Sequence, residues 1–292
     1  MDHTSKHSLN TTPVPVRRRV WPVGQILLLL PALLLLLLFF VLPNLDVVRV
    51  GLFDPDFTLE HVAKITSTRT YLSVFGNTIQ ISLVVAVLGA LIGYPVAYFI
   101  NSRPRAIQMK LLLLILVPLW MSVLIRSYSW MVLLGRDGVL NAALMWLSVT
   151  EAPVRLLYTS GAVYLAMLQI LLPVQIIASY SAMTEIDMTL VRAAQTCGAS
   201  AVQAMRRVFI PLSMEGTVTG VALVFMLSMG FFITPALVGS RKDLMLGNLV
   251  MQHVQQLNWG LAAAIALLML LATLVVVVLI KAAGRYLTRW MV

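Results

Sequence analysis

Long apolar runs alternate with polar stretches from residue 25 almost to the end of the chain. An α-helix rises about 1.5 Å per residue, so about 20 apolar residues cross the roughly 30 Å hydrocarbon core of a bilayer. Six runs reach this length, and the pattern therefore predicts an all-α membrane protein with six transmembrane helices. The predicted spans are residues 25–43, 77–100, 111–134, 161–180, 216–238 and 260–282.

Basic residues are concentrated in alternate polar stretches. If the N-terminus is cytoplasmic, the stretches on that side hold thirteen Lys and Arg against four Asp and Glu, and the rest of the chain holds eight against seven. Because Lys and Arg accumulate in cytoplasmic loops, we expect both termini inside the cell. The first run follows three arginines but is longer than a signal-peptide core, so we interpret it as an uncleaved span. The predicted parts are an N-terminal tail 1–24, a first helix and external loop 25–73, a five-helix core 74–284 and a C-terminal tail 285–292.

The opposite side of the membrane receives three polar stretches. We expect the first, residues 44–75, to contain a short helix that starts after Thr58 as its N-cap. The second, residues 135–159, opens with a turn-like Gly-Arg-Asp-Gly and has an apolar middle that predicts a short interfacial helix over residues 140–147. The third covers residues 239–259.

Small and kink-forming residues occur within the predicted spans. Gly89 with Gly93, and Gly216 with Gly220, form GxxxG patterns, which let helix backbones approach closely in a bilayer. Gln169 and Gln175 are candidates for hydrogen bonds between helices. Four prolines are expected to kink or interrupt their spans: Pro95, Pro118, Pro173 and Pro235.

Composition excludes several functional classes. Hydrophobic residues make up 60% of the chain and charged residues 11%, with a mean hydropathy of +0.93, so the net charge of +10 indicates membrane topology rather than nucleic-acid binding. Cys197 is the only cysteine, and the four histidines are far apart and form no HExxH pattern, which argues against a metal site. The sequence contains no Gly-Lys pair and hence no Walker A loop. Any ATP-driven role therefore needs a partner that binds ATP and magnesium, and we expect no cofactor in this chain.

One polar, basic stretch, residues 192–212, stands out between the fourth and fifth spans. It begins with Arg192, Ala193 and Ala194, has Gly198 four positions after Ala194, and ends in an Ile-Pro pair at the threshold of the next apolar run. Small residues would give a narrow helical face that fits a partner's groove, and Gly198 would let the chain turn after a short helix. We expect a new helix to begin at Pro211.

This stretch resembles the "EAA" loop of type I binding-protein-dependent ABC importer permeases, whose pattern is Glu-Ala-Ala, three residues, Gly, nine residues, then Ile-x-Leu-Pro. Ala193, Ala194 and Gly198 match the pattern, and the spacing to Val208, Ile210 and Pro211 is kept with Val and Ile for Ile and Leu. Arg192 stands where the family usually has Glu, so the partner surface is expected to differ in charge. The resemblance implies that residues 181–213 form the loop through which an ATPase transmits force.

Residues 119–141 and 231–240 resemble segments of the spermidine/putrescine-type permeases, within an overall likeness that covers roughly residues 74–282. That resemblance implies a subunit in the bacterial inner membrane that imports a small polar solute, most naturally a polyamine, by alternating access. It also implies two ATPase subunits, a second permease that is either identical or different, a periplasmic binding protein and surrounding lipid, and no nucleic acid. Opine-like, amino-acid-like and aminophosphonate solutes remain alternatives within the group.

Arg126 is the clearest intramembrane charge, and such a residue is a functional candidate unless it extends to the interface. Trp120, Tyr128 and Trp130 share its predicted span and form either a cation–π surface for amines or an interfacial aromatic belt. The resemblance adds Phe231 and Thr234 to the candidate pathway. The spans as drawn hold no Asp or Glu, so Arg126 suits a carboxylate or phosphonate better than a polyamine. An ion-coupled secondary transporter or a membrane-embedded enzyme would need intramembrane carboxylates, repeated halves or a catalytic cluster, and none is visible.

Overall fold

The structure, a computed structural model, describes residues 23–53 and 57–291. Every regular element in these ranges is helical, and their β structure is confined to an isolated bridge between Phe53 and Phe57. Five helical stretches are long and apolar enough to cross a membrane, and a sixth crossing is present if one bent helix pair counts as a span. The all-α membrane prediction is therefore confirmed. The predicted tail 1–24 lies outside the described residues except for its last two positions.

The chain divides into two compact units, residues up to Asp46 and residues from Val47 onward. The described part of the first unit consists of α1 (Val23–Leu36), a π-helical turn (Leu37–Val41) and the start of α2 (Leu42–Leu52), which continues past Asp46 into the second unit. The helices that follow α2 are, in chain order, α3 (Glu60–Ser67), α4 (Arg69–Asn101), α5 (Arg105–Leu116), α6 (Val123–Leu134), α7 (Val139–Trp146), α8 (Ser160–Thr184), α9 (Met188–Thr196), α10 (Ala201–Ala204), α11 (Ile210–Met229), α12 (Ile233–Val238), α13 (Leu246–Gln255) and α14 (Trp259–Met291).

The first predicted span ends later than expected. The prediction stopped at Pro43, but the helix continues to Leu52, so Asp46 and Arg49 are helical rather than part of an external loop. Pro43 lies two residues after the end of the π-helical turn, whose wider ring of hydrogen bonds tolerates a residue without an N–H. The span as drawn holds no carboxylate, but the helix that contains it extends beyond Pro43 and includes Asp46, three residues further along the chain.

Helix α8 is the centre of the second unit and packs against α4 and α11, while α11 also packs against α14. The main apolar cluster contains Ile81 and Val85 from α4, Met167 from α8, and Phe225 and Met229 from α11, all of them buried. Side chains on these faces are tightly packed because dispersion contacts, rather than exclusion of water, hold helices together in a bilayer.

Both GxxxG patterns mark close contacts with α8. A Cβ added to Gly93 would lie 2.9 Å from Cγ of Gln175, and one added to Gly220 would lie 2.8 Å from Nε2 of the same Gln175. At Gly216 the added carbon would lie 2.1 Å from the Cβ of Ala182. The predicted close approach of helices at these glycines is confirmed, and α8 is the helix approached from both sides.

The predicted third span is not one helix. The stretch Arg105–Trp120 and the stretch Val123–Trp146 are bent by 92° relative to each other. Pro118 lies in a short 3₁₀ turn at the end of the first stretch, Met121 is extended, and the Ser122 side chain accepts a hydrogen bond from the Leu124 N–H to start α6. The span predicted over residues 111–134 is therefore two helices rather than one, and the interruption expected at Pro118 is confirmed.

The predicted fifth span also ends early. Helix α11 ends at Met229, Gly230 follows, and α12 is a separate short helix that contains Pro235. The prediction of one helix over residues 216–238 is wrong, because the helix ends at Met229 and the two residues after Gly230, Phe231 and Phe232, are not helical. By contrast, α4 and α8 run through Pro95 and Pro173 without a break.

The short predicted helices are present. Helix α3 occupies the first polar stretch, but Leu59 rather than Thr58 is its N-cap; the Thr58 hydroxyl still accepts a hydrogen bond from the Glu60 N–H. Helix α7 coincides with the predicted interfacial helix, and the turn before it is closed by a hydrogen bond from the Gly138 N–H to the Gly135 carbonyl.

Candidate functional site

The segment from residue 181 to residue 213, called the loop segment below, folds as two short helices around a fixed turn. Helix α9 begins at the Asp187 N-cap, whose side chain accepts a hydrogen bond from the Thr189 N–H at 2.9 Å. This bond favours the carboxylate and lowers the pKa of Asp187. The next helix begins at Ser200, which forms a capping box with Gln203.

Gly198 makes the turn between the two helices. Its φ of +93° lies in the left-handed region that favours glycine, as the sequence predicted for a residue after a short helix. The Ala199 N–H donates to the Ala194 carbonyl at 3.1 Å and satisfies one of the free carbonyl groups at the end of α9. A Cβ on Gly198 would meet nothing within 4 Å, so only the backbone conformation requires glycine here.

The predicted narrow face of small residues is divided between two directions. Arg192, Ala193 and Gly198 are exposed, whereas Ala194 is half-buried and packs with Val191 against a cluster that includes Ile100. Adjacent helical residues point about 100° apart, which explains why Ala193 and Ala194 do not share a face. The surface open to a partner therefore contains Arg192, Ala193 and Gly198 but not Ala194.

The end of the loop segment is continuous helix rather than a new start. A π-helical turn (Met205–Phe209) joins α10 to α11, so the helix begins at Ala201 and Pro211 lies within it. The regular α-helix α11 begins at Ile210 with Pro211 in its first turn, close to the predicted start, but it continues the preceding π-helical turn instead of starting a separate helix. That turn ends at Phe209 and accommodates the missing N–H of Pro211. Val208 and Ile210 are half-buried and Pro211 is buried, so these matched residues fix the segment to the bundle.

A polar cluster that the sequence did not reveal ties the base of the loop segment to the α4–α5 turn. The Tyr180 hydroxyl donates to Oε1 of Gln108 at 2.7 Å, and Nε2 of Gln108 donates to the Arg103 carbonyl at 2.8 Å. The Tyr98 and Phe209 rings pack edge to face beside it. These residues are 72 or more positions apart where they meet across helices, so local patterns carry no signal for the cluster. It makes the base of the loop segment rigid.

Arg126 lies on α6, one turn after the 92° bend. Its side chain is only 8% exposed, and its Nε and Nη1 atoms have no hydrogen-bond partner among the residues that the structure describes. The neighbouring Ser127 is fully buried and its hydroxyl lies 2.9 Å from the hydroxyl of Thr234 on α12. A buried guanidinium with free donors is costly, so it needs an acceptor from outside the described part of this chain.

The aromatic candidates do not surround Arg126. Trp120 is 78% exposed and Tyr128 is 50% exposed, whereas Trp130 is half-buried and its Nε1–H donates to Oε1 of Gln169 at 3.3 Å. Trp130 follows Arg126 by four residues and shares its face of α6, while Tyr128 points away. The structure therefore places Arg126 and Trp130 on one face of α6 and Thr234 against the adjacent Ser127, whereas Trp120 and Tyr128 are exposed. The interhelical bonds predicted for Gln169 and Gln175 are both present, the latter to the Thr217 carbonyl.

Phe231 lies in the break between α11 and α12 and is half-buried against the main apolar cluster. Nearby, Asp243 is 2% exposed and accepts hydrogen bonds from the Ser160 and Ser240 hydroxyls and from the Ser240 N–H. Asn77 on α4 donates to the Lys242 carbonyl at 2.7 Å. These bonds fix the segment after α12. The bonds from Ser160 and Asn77 join residues that are distant in the chain and leave no local sequence signal, whereas Ser240 and Asp243 form a local capping box that sequence reasoning missed.

A family model described as "Binding-protein-dependent transport system inner membrane component" matches residues 89–292, from within α4 to the end of the chain. The spermidine/putrescine transport system permease protein PotB of Escherichia coli (strain K12) is 33% identical over 236 residues, which are 78% of this chain and 86% of the relative. The same protein of Haemophilus influenzae is 35% identical over 252 residues, 82% of this chain and 88% of the relative.

Among solved structures, a chain of a bacterial alginate ABC transporter in complex with an alginate pentasaccharide-bound periplasmic protein superposes with a TM-score of 0.72 at 17% identity. The superposition covers 93% of this chain and 99% of that chain. A chain of the MetNI methionine ABC transporter in an inward-facing conformation gives a TM-score of 0.51 at 19% identity, covering 74% and 93%. At these identities the likeness concerns the fold alone.

Proposed function

This chain belongs to the binding-protein-dependent transport system inner membrane components, as its motifs predicted, and we propose that it is the permease subunit of an ATP-driven polyamine importer. The observation that carries the polyamine assignment is the 33–35% identity to spermidine/putrescine permeases over at least 78% of the chain. The solute, such as spermidine or putrescine, moves from the periplasm to the cytoplasm by alternating access.

The permease works with partners that supply energy and solute. Because the sequence has no Walker A loop, ATP and magnesium are bound by two ATPase subunits and not by this chain. A second permease subunit completes the pathway, and a periplasmic binding protein delivers the polyamine. Both termini and the loop segment lie in the cytoplasm, as the thirteen basic against four acidic residues on that side favour.

The loop segment receives force from the ATPase through the exposed residues Arg192, Ala193 and Gly198. Its rigid turn and capped helices support this role, because a displacement of α9 is passed to the bundle rather than absorbed in a flexible linker. Tyr180, Gln108 and Phe209 provide the mechanical connection to α8, α5 and α4. With Arg192 in place of the usual Glu, the groove of the cognate ATPase is complementary to a cation at this position.

Arg126 supports a pathway role for the α6–α12 region, together with Ser127 and Thr234. In a polyamine importer its buried cation requires a carboxylate from the second permease, because a polycationic solute would be repelled by an unpaired guanidinium. The same observation favours a second candidate function, in which the solute carries a carboxylate or phosphonate that binds Arg126 bidentately.

A substrate panel separates the two candidates. Cells that lack their own polyamine uptake and express this chain with its cognate partners are supplied with labelled spermidine, putrescine, an opine and an aminophosphonate. We expect uptake of spermidine or putrescine that unlabelled polyamine suppresses and unlabelled opine does not. Uptake of the opine or aminophosphonate without polyamine uptake would contradict the polyamine assignment and support the second candidate.

A further inference from the structure

A groove of about 480 Å³ lies between α11 and α14, at the end of these helices that adjoins the loop segment. Its volume is within the range of about 300–1,000 Å³ that is typical of small-ligand clefts. Residues spaced three or four apart on each helix form its walls, so each helix presents one continuous face to it. The residues that matter below are Glu215, Val218, Thr219, Lys281, Arg285 and Thr288.

The groove lies at the depth where a bilayer changes from hydrocarbon to headgroups. Glu215 is the last charged residue before the apolar run of α11, and Lys281 is the first charged residue after the apolar run of α14. Below Lys281 on the same face of α14 are Leu274 and Val278, which are 54% and 63% exposed. This apolar stripe continues the groove towards the membrane centre, and acyl chains fit such a surface.

The walls carry charges of both signs. Lys281 and Arg285 are one turn apart on α14, both exposed, and neither forms an ion pair within the part of the chain that the structure describes. Glu215 is exposed on the facing wall. The hydroxyls of Thr219 and Thr288 already donate to carbonyl groups of their own helices, so within the groove their oxygens are left as acceptors.

The three charges are ordered along the groove. Gly284 contacts Val218 at the floor of the groove, and a Cβ added to Gly284 would lie 2.6 Å from Cγ1 of Val218. Because α11 and α14 run antiparallel, Lys281 lies three residues from this contact towards the centre of the bilayer. Glu215 lies three residues from it in the opposite direction, towards the headgroups. At about 1.5 Å per residue they are separated by roughly 9 Å along the helix axes, with Arg285 between them.

We propose that the groove binds the headgroup of a phospholipid that carries both a phosphate and a primary ammonium, the phosphoethanolamine type. The phosphate binds between Lys281 and Arg285, on the side of the groove nearer the hydrocarbon core. The ammonium donates hydrogen bonds to Glu215 and to the Thr288 hydroxyl oxygen, which lie farther from the hydrocarbon core. The order of charges in the groove matches the order in such a lipid, whose acyl chains, phosphate and amine follow one another outward. A phosphoglycerol headgroup would leave the Glu215 carboxylate beside an anion, and a phosphocholine headgroup has no N–H to donate.

Native mass spectrometry of the purified full-length chain tests this proposal with three lipids of equal acyl composition: phosphatidylethanolamine, phosphatidylglycerol and phosphatidylcholine. We expect phosphatidylethanolamine to be retained best. Lys281→Gln and Arg285→Gln should each weaken its retention about fivefold, which corresponds to about 1 kcal/mol per basic residue near a membrane surface. These substitutions are at exposed positions and leave the helix contacts intact.

Glu215→Gln gives the sharpest result, because the two lipid classes respond in opposite directions. Retention of phosphatidylethanolamine should fall about threefold, a value within the range of exposed ion pairs, and retention of phosphatidylglycerol should rise. Glu185→Gln, which neutralises an exposed carboxylate outside the groove, is the matched control and should change neither. If Glu215→Gln raises retention of both lipids or leaves phosphatidylethanolamine unchanged, or if the two basic variants have no effect, the proposal is overturned.

Discussion

The contact between Gly216 on α11 and Ala182 on α8 gives the most direct test of how the bundle is packed. A methyl group on residue 216 would lie 2.1 Å from the Ala182 Cβ. Carbon atoms pack best at about 3.5–4.0 Å, so Gly216→Ala would require the two helices to separate by at least about 1.4 Å at this point. Overpacking of this kind costs about 1–3 kcal/mol.

Gly76 on α4 is the matched control, because it is exposed and a Cβ there meets nothing within 4 Å. Both Gly→Ala changes gain the same helix propensity of about 0.5–1 kcal/mol, so their difference isolates the clash. For a protein of this size about 1 kcal/mol shifts the unfolding temperature by about 2–4 °C, and we expect Gly216→Ala to melt about 2–12 °C below Gly76→Ala.

The measurement is the fraction of protein that remains monodisperse by size-exclusion chromatography after heating in detergent. A double variant, Gly216→Ala with Ala182→Gly, moves the methyl group from α8 to α11 and should recover most of the loss, with a coupling energy of about 0.5–3 kcal/mol. If Gly216→Ala is as stable as Gly76→Ala, or if the double variant recovers nothing, the close packing of α8 against α11 is wrong.

Three further predictions concern transport, docking and pH. At equal protein levels, Arg126→Lys should lower uptake about tenfold and Arg126→Ala further, because Lys keeps the charge but loses the planar fork; wild-type uptake by the Lys variant would remove Arg126 from the pathway. Ala193→Trp should insert normally but lose co-purification with the ATPase, whereas Ala152→Trp, at an exposed position in the predicted external stretch 135–159, should not; equal co-purification would exclude the loop segment as the docking site. Burial and the nearby charge of Lys64 hold the pKa of His253 below its usual 6.5, so its contribution to stability is complete above pH 6.5 and is lost as the pH falls below that value. His253→Gln should flatten this part of the stability profile in thermal unfolding between about pH 5 and 7, and an unchanged profile would assign it to other groups.

Local sequence features predicted the elements whose causes are local. Hydropathy located the helices that cross the membrane, small residues at Gly93 and Gly216 located the close contacts of α8, and Gly198 predicted the left-handed turn in the loop segment. Each of these depends on a residue type or a run of residues that can be identified without knowing the fold.

The errors arose where a helix breaks or continues inside a uniform pattern. Hydropathy averages do not distinguish a straight span from one bent at Met121, or a helix that ends at Met229 from one that continues. Pro118, at which an interruption was predicted, precedes the first break, whereas Gly230, which precedes the second, was not predicted to end a helix. No such signal exists for the Gln108–Tyr180 bond, which depends on the packing of helices remote in sequence.

Hydrolysis of ATP by the reconstituted importer tests the central claim most directly. The chain, its second permease and the ATPase are incorporated into liposomes, and phosphate release is measured with the periplasmic binding protein in the presence and absence of spermidine. A permease of a polyamine importer predicts hydrolysis that rises with spermidine, is accompanied by spermidine accumulation, and disappears for Ala193→Trp but persists for Ala152→Trp. The polyamine claim would be contradicted if ATP hydrolysis did not change with spermidine and spermidine did not accumulate, while an opine or aminophosphonate stimulated hydrolysis and accumulated. Unchanged hydrolysis with Ala193→Trp would contradict the coupling claim.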